Sequence, residues 1–332
     1  MLHRFAQLVA GCTVLLVLAG SLVTSTGSGL AVPDWPTTYG SNMFLFPPSK
    51  WVGGILYEHG HRLIASSVGF LTIILAVWLW LGDPRRWMKW LGVAALGAVI
   101  AQGVLGGLTV LFFLPAAIST AHAGLAEIFF CLVVSIALFT SPRWMERDLR
   151  AGAAAGAADG TTRLRTVATA TTAAIYVQIL LGATMRHTDA GLAIPDFPLM
   201  FGHLLPTHWD PKIAIHFSHR VGALVVVLAI IATARRAWLE RRDRSGVGGP
   251  AALLIALVTV QVTLGALTVL SQRDIWINSV HVVCGALVLT TSLVLTLRTW
   301  RDAFPDGAVR VRTGTAAVAS GVRLQPERGA GV

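Results

Sequence analysis

Long apolar runs separated by short polar segments dominate this chain, and eight of them are long enough to cross a bilayer. A helix rising about 1.5 Å per residue needs roughly 20 apolar residues to span about 30 Å of hydrocarbon. Runs of that kind lie near residues 8–26, 62–81, 91–111, 120–140, 168–186, 217–234, 251–270 and 279–297. The pattern predicts an all-α integral membrane fold with eight transmembrane helices. Composition points the same way, with 55% of residues hydrophobic and 13% charged, a balance unlike that of soluble domains.

The charged residues orient the predicted bundle. With the N-terminus in the cytoplasm, the inside segments hold Arg4, Arg85, Arg86 and Lys89, five arginines between Arg143 and Arg165, five between Arg235 and Arg244, and six from Arg298 onward. That places 20 of the 26 Lys and Arg residues inside, as the positive-inside rule requires. Both termini are therefore expected in the cytoplasm, and the loops around Lys50, Pro206 and Arg273 outside. The formal charge of +10 then reads as topology and not as a nucleic-acid footprint, because the basic residues are spread over several segments. The first run has no small-residue cleavage site behind it and no Arg- and Ser-rich presequence before it, so it is expected to be a true span in a bacterial plasma membrane. Residues 302–332, rich in Gly, Ala, Val and Arg without helical periodicity, are expected to form a disordered cytoplasmic tail.

The chain repeats itself. Gly29-Leu30-Ala31-Val32-Pro33-Asp34-Trp35-Pro36, Glu58-His59-Gly60-His61-Arg62, Gln102 to Val110 and His122 are matched by Gly191-Leu192-Ala193-Ile194-Pro195-Asp196-Phe197-Pro198, His216-Phe217-Ser218-His219-Arg220, Gln261 to Val269 and His281. Each copy holds four spans, an even number, so the two lie in the same orientation about an axis along the membrane normal. The expected architecture is two pseudo-symmetric four-helix bundles, residues 1–150 and 151–301, joined through the Ala- and Gly-rich stretch from Arg150 to Thr162.

His61, His122, His219 and His281 then fall near the outer ends of even-numbered helices. Within a copy the two imidazoles can meet at one depth. Paired neutral imidazoles are a common axial arrangement for haem iron, and imidazole also binds zinc, copper and non-haem iron. Those other metals usually need further protein ligands, for which only Glu58 and His216 offer themselves. Four repeat-related histidines in a membrane, where ionisable groups carry a desolvation cost, point to a functional role. The remaining histidines are expected to be bland: His59, His187, His203 and His208 in solvated outer loops, and His3 idle at the terminus.

The copies differ where Glu58 meets His216. Glu58 shares a helix face with His61, three residues on, so its carboxylate can serve proton transfer or stabilise a cation in one copy only. The alternative is a salt bridge to Arg62. Arg62 and Arg220 directly follow candidate ligands and are suited either to anionic carboxylates of a bound cofactor or to lipid headgroups. Gln102 and Gln261 read as packing and hydrogen-bonding positions. Cys12, Cys131 and Cys284 all lie in predicted spans, so no disulfide or zinc motif is formed.

Taken together, Glu58-His59-Gly60-His61-Arg62, His122, His219-Arg220, His281 and the Gly-Leu-x-x-x-Asp-Trp-Pro loop resemble the haem A synthase family over roughly residues 8–300. The resemblance implies oxidation of the C8 methyl of haem O to a formyl group by successive hydroxylations, for terminal oxidase assembly. It further implies that His61 and His122 hold the substrate haem, that Glu58 is the catalytic carboxylate, and that His219 and His281 ligate the iron of a resident haem b. Haem O synthase, oxidase assembly factors, an electron acceptor of unknown identity, membrane lipid and a second copy of the chain are the partners this implies. Some bacterial members carry a cysteine pair in the first outer loop. None stands between Gly27 and Tyr57 here, so a thiol route for electrons through that loop is not expected. The alternative reading is a di-haem b electron-transfer cytochrome or quinol oxidoreductase, which needs no carboxylate confined to one copy.

Overall fold

The computed structural model describes residues 1–145, 161–240 and 246–301. Within them the chain forms eight long helices: α1 (Leu2–Ser25), α2 (Gly54–Gly82), α3 (Arg86–Leu111), α4 (Ala116–Phe139), α5 (Thr161–His187), α6 (Pro211–Leu239), α7 (Gly248–Leu270) and α8 (Ile275–Thr299). All eight are long and apolar enough to cross a membrane. The boundary at 150/151, most of the expected linker and the expected tail lie outside the described residues.

Several helices begin well before the apolar runs. Hydropathy registers only where polar residues stop, whereas the helix starts at its cap. Asp210 caps α6 by accepting the Ile213 N–H at 2.9 Å, with Pro211 in the first turn. Asp274 caps α8, one carboxylate oxygen accepting from the Trp276 and Ile277 amides at 3.0 Å. Both are side-chain N-caps that satisfy otherwise orphaned donors. The result is that His61 is the eighth residue of α2, His122 the seventh of α4, His219 the ninth of α6 and His281 the seventh of α8. Each histidine thus stands about two turns inside its helix.

Each helix packs on its sequence neighbour within a copy, and α1 also meets α4 as α5 meets α8. Helices α1, α4, α5 and α8 form the seam between the copies. The two apolar clusters reach the end nearest Met1, with Leu75, Leu79 and Met88 in the first copy and Ile230, Leu254 and Leu295 in the second. At that end Arg85, counted above as an inside charge, is buried: its Nη2 pairs with Asp83 at 2.7 Å and its Nη1 donates to the Phe139 carbonyl at 3.1 Å. His3 is not idle either, since its Nδ1 lies 2.9 Å from the Ala137 carbonyl oxygen. The four repeat-related histidines occupy the opposite end.

The loops after α1 and α5 share one construction. Asp34 accepts from the Tyr39 and Gly40 amides at 2.8 and 2.9 Å and from the Thr37 hydroxyl; Asp196 accepts from the Phe201 and Gly202 amides at 2.7 and 2.8 Å. Tyr39 and Phe201 both take positive φ, 50° and 56°, each just before a glycine at positive φ. A left-handed turn is costly for an aromatic residue, and the aspartate bonds hold it in place.

Partial burial raises the Asp34 pKa, but the Gly40, Thr37 and Tyr39 hydrogen bonds outweigh it and leave the group below its ordinary value. Asp196 is lowered likewise, chiefly by the Gly202 amide. A lowered folded-state value stabilises the loop fully above the unfolded carboxylate value, and the contribution disappears as pH falls through the lowered one. Hydrogen exchange at the Tyr39 and Gly40 amides, corrected for intrinsic rates, is therefore expected to show protection near neutrality that fades in that acid window. Asp34→Ala is expected to abolish the protection throughout; unchanged protection in this variant contradicts the assignment.

Candidate functional site

Each of the four histidines rests against a glycine on the preceding helix. A methyl group at Gly20 would come within 2.9 Å of His61 Cε1, at Gly106 within 3.3 Å of His122, at Gly182 within 2.9 Å of His219, and at Gly265 within 3.1 Å of His281. The imidazoles thus fill the space where a Cβ would otherwise stand. Glycine at these positions permits the close helix approach typical of membrane bundles.

Within each copy the two rings influence each other: His61 lies within electrostatic range of His122, and His219 of His281. The Nδ1 atom of His61 is buried without a hydrogen-bond partner, while the rings of His122 and His281 lie within reach of the Gln102 and Gln261 backbones. An unpartnered ring nitrogen inside a membrane protein is costly, and a ligand held between the rings gives the pair a purpose. Among the described residues no group of three or more His, Cys, Asp and Glu side chains gathers as a metal cage. Two buried imidazoles per copy, at matching helix positions, fit an iron whose remaining ligands come from a tetrapyrrole. They do not fit a metal held by protein side chains alone.

Second-copy residues go further. Gln178 donates from Nε2 to the His219 carbonyl at 2.7 Å and approaches His219 Nδ1 at 3.0 Å. A methyl group at Gly222 would meet its Oε1 at 2.1 Å, so this glycine makes room for the glutamine. The repeat-related residues of the first copy are Leu16 and Ile64, which supply no such bond. Gln261 Nε2 lies 3.4 Å from His281 Nε2, while the Oε1 atoms of Gln102 and Gln261 are buried without partners.

Glu58 is buried, 3% exposed. The salt bridge to Arg62 is present, Nη2 to Oε1 at 2.6 Å, and Oε2 accepts the Val32 N–H at 2.7 Å. Arg62 spends its remaining contacts on the same loop, donating to the carbonyls of Val32, Asp34 and Thr37 at 2.8, 2.7 and 3.1 Å. The second copy repeats the clasp: Arg220 donates to the carbonyls of Ile194, Asp196 and Leu199 at 3.1, 2.7 and 3.0 Å. His216 faces the Ile194 N–H through Nδ1 and the Arg220 Nε–H through Nε2, both at 3.2 Å. A neutral imidazole has one acceptor nitrogen and can accept only one of these, whereas a carboxylate accepts both. Both arginines tie the loop down, and Arg62 also forms the salt bridge to Glu58 that the sequence offered as an alternative. Sequence spacing alone could not reveal that the loop folds back over the start of the next helix.

Two histidines expected in solvated loops are elsewhere. His59 is fully buried in α2, its ring 5.2 Å from that of Phe46 and 4.8 Å from Trp51, with Nδ1 3.2 Å from the Thr38 hydroxyl. The repeat offered the clue, since Phe217 stands at the matching position and packs on Trp209 at 5.1 Å. His187 closes α5 and is half-buried. His203 and His208 are exposed as expected.

Glu127 escaped the sequence reading. It and Glu58 are the two acidic residues within the eight spans, which is the signal that could have found it. It is 5% exposed, with Oε2 unpartnered. Its neighbours include Cys131 one turn on and Tyr176 across the seam.

Glycine at 182 is required for space, so Gly182→Ala is expected to lower stability by about 1–3 kcal/mol through overpacking on His219. A methyl group at Gly69 would meet nothing within 4 Å, so Gly69→Ala is expected to be neutral or stabilising, as usual in a helix. Gly106→Ala should be the mildest of the four histidine-facing variants. Thermal unfolding of the purified variants in detergent checks the order, and equal midpoints for the 69 and 182 variants contradict it.

Comparison with known proteins finds relatives along most of the chain. The chain is 29% identical to the haem A synthase of Geobacillus kaustophilus over 307 residues, covering 90% of this chain and 93% of that protein. It is 31% identical to the haem A synthase of Symbiobacterium thermophilum over 276 residues, covering 81% and 85%, and 29% identical to that of Halalkalibacterium halodurans over 304 residues, covering 87% and 95%. Residues 3–293 match the family of cytochrome oxidase assembly proteins, COX15-CtaA. With eight spans, two repeat-related histidine pairs and a family match over nearly its whole length, this chain belongs to the cytochrome oxidase assembly protein family.

Proposed function

We propose that this protein is a haem A synthase, oxidising the C8 methyl of haem O to a formyl group by successive hydroxylations for use in terminal oxidases. The observation that supports this most strongly is the presence of a histidine pair in each copy and of a buried carboxylate, three residues before His61, in only one of them. In this reading the helices form two pseudo-symmetric four-helix bundles, residues 1–150 and 151–301. His61 and His122 hold the substrate haem O in the first. His219 and His281 ligate the iron of a resident haem b in the second, where Gln178 steadies His219.

When bound, haem b supplies a one-electron relay toward an electron acceptor. The chain's own residues do the rest. Glu58 is held by Arg62 and the Val32 amide yet keeps a second lone pair on each oxygen. A carboxylate fixed in advance can stabilise positive charge developing at the methyl carbon without reorganising, and can take up the proton released there. The clasped loop covers the site end of the bundle and limits water. We place that end at the outer face of a bacterial plasma membrane, with both termini in the cytoplasm, from the distribution of Lys and Arg. Haem O synthase and oxidase assembly factors are the partners consistent with this chemistry.

A second reading is favoured by the clasp itself: Glu58 could do for Val32 only what His216 does for Ile194. Glu58→His separates the two, because it installs the second copy's clasp in the first. The variant is expected to bind haem O yet form haem A about 100-fold more slowly. Wild-type turnover would reduce Glu58 to a loop anchor.

Orientation is tested by labelling. Ser49 and Met145 are both exposed and lie beyond opposite helix ends. Cysteine at position 49 should react with an impermeant thiol reagent on intact cells and cysteine at position 145 should not; the reverse pattern would put the sites at the cytoplasmic face.

A further inference from the structure

Arg186 has no counter-ion among the described residues. It stands in the last turn of α5, and its Nη2 donates across the seam to α1, to the Ser21 carbonyl and the Ser25 hydroxyl, both at 2.7 Å. Its Nε is buried without a hydrogen-bond partner. Among the described residues no carboxylate forms an ion pair with it. Asp189, three residues on, is largely exposed and lies 4.0 Å from Arg273 instead. Ser25 in turn bonds Ser279 at 2.9 Å and Asn278 at 3.2 Å on α8. The cation therefore sits where α1, α5 and α8 meet, within electrostatic range of His281 and Arg273.

A guanidinium at such a junction is costly unless an anion neutralises it. A carbonyl and a hydroxyl are neutral acceptors and leave its charge uncompensated. None of the described residues supplies an anion at this point, so the geometry calls for one that arrives with a ligand. Arg62 and Arg220 are poor candidates for receiving it, since each already makes four hydrogen bonds to its own clasp. The repeat-related residue of the first copy is Thr24, so this charge belongs to the second copy alone.

We propose that Arg186 is the anion-binding residue of the second-copy site, pairing through its free N–H groups with a carboxylate of the porphyrin held between His219 and His281. The proposal rests on reading that pair as the haem b site. Guanidinium suits the role because it stays charged and presents several donors to a carboxylate. It also gives the site a means of choosing how the macrocycle is turned, since only the carboxylate edge can meet the cation.

The test uses the full chain, produced without haem and purified in a non-ionic detergent, then titrated separately with haem b and with haem b dimethyl ester while the Soret band is followed. Wild type is expected to bind haem b about tenfold more tightly than the ester, the equivalent of one charge-assisted hydrogen bond. Arg186→Gln keeps a donor for Ser21 and should bind the two porphyrins about equally, whereas Arg186→Lys should retain the preference. Arg186→Thr, the residue type at position 24, serves as a second neutral variant. Undiminished preference in either neutral variant overturns the proposal. So does a wild type that binds both porphyrins alike, the result expected if a lipid phosphate were the partner. His219→Ala that still binds haem b like wild type would instead overturn the reading of the site, whatever Arg186 does.

Discussion

Four contacts between an imidazole and a glycine backbone set the geometry on which the site depends. In hydrocarbon, helices gain no hydrophobic stabilisation from meeting each other, and close approach through small residues takes its place. At Gly20, Gly106, Gly182 and Gly265 that approach is filled by a histidine from the next helix. One feature thereby packs the helix pairs and fixes the four rings at one end of the bundle. The apolar clusters around Leu79 and Leu254 lie toward the other end.

Duplication supplied two equal frames, and a few substitutions distinguish them. In the first, Glu58 closes the loop with a carboxylate that accepts two donors at once. In the second, His216 faces the same two donors with one acceptor nitrogen. Gln178 steadies one histidine of the second frame only, and Arg186 adds a charge there that the first frame lacks. On the function proposed here, the frame with the buried carboxylate carries the chemistry, and the frame with the steadied ring and the extra cation holds a cofactor. Glu127 adds a buried acid at the seam between them.

Much of this was legible in the sequence. Eight spans followed from the apolar runs, and the histidine pairs from their repetition, because both are periodic signals. What escaped was whatever depends on chain reversal. Helix starts came too late because caps such as Asp210 and Asp274 are polar and hydropathy ignores them. The clasp by Arg62 and Arg220 needed a loop folded back onto the helix that follows it, and His59 was buried by the same fold. Gln178 and Glu127 did leave a trace, as polar residues inside spans without a polar counterpart in the other copy. Arg186 was hidden by lying at a helix end, where a charge ordinarily meets water.

Extraction of pigments from the purified protein, after production in cells that make haem O, tests most directly the claim that the two sites are distinct. Haem b together with haem O, its hydroxylated form or haem A is expected, with the haem O-derived pigment lost in His61→Ala and haem b retained there. Haem b alone from the wild type would indicate an electron-transfer cytochrome, and no haem at all would contradict the assignment of both sites.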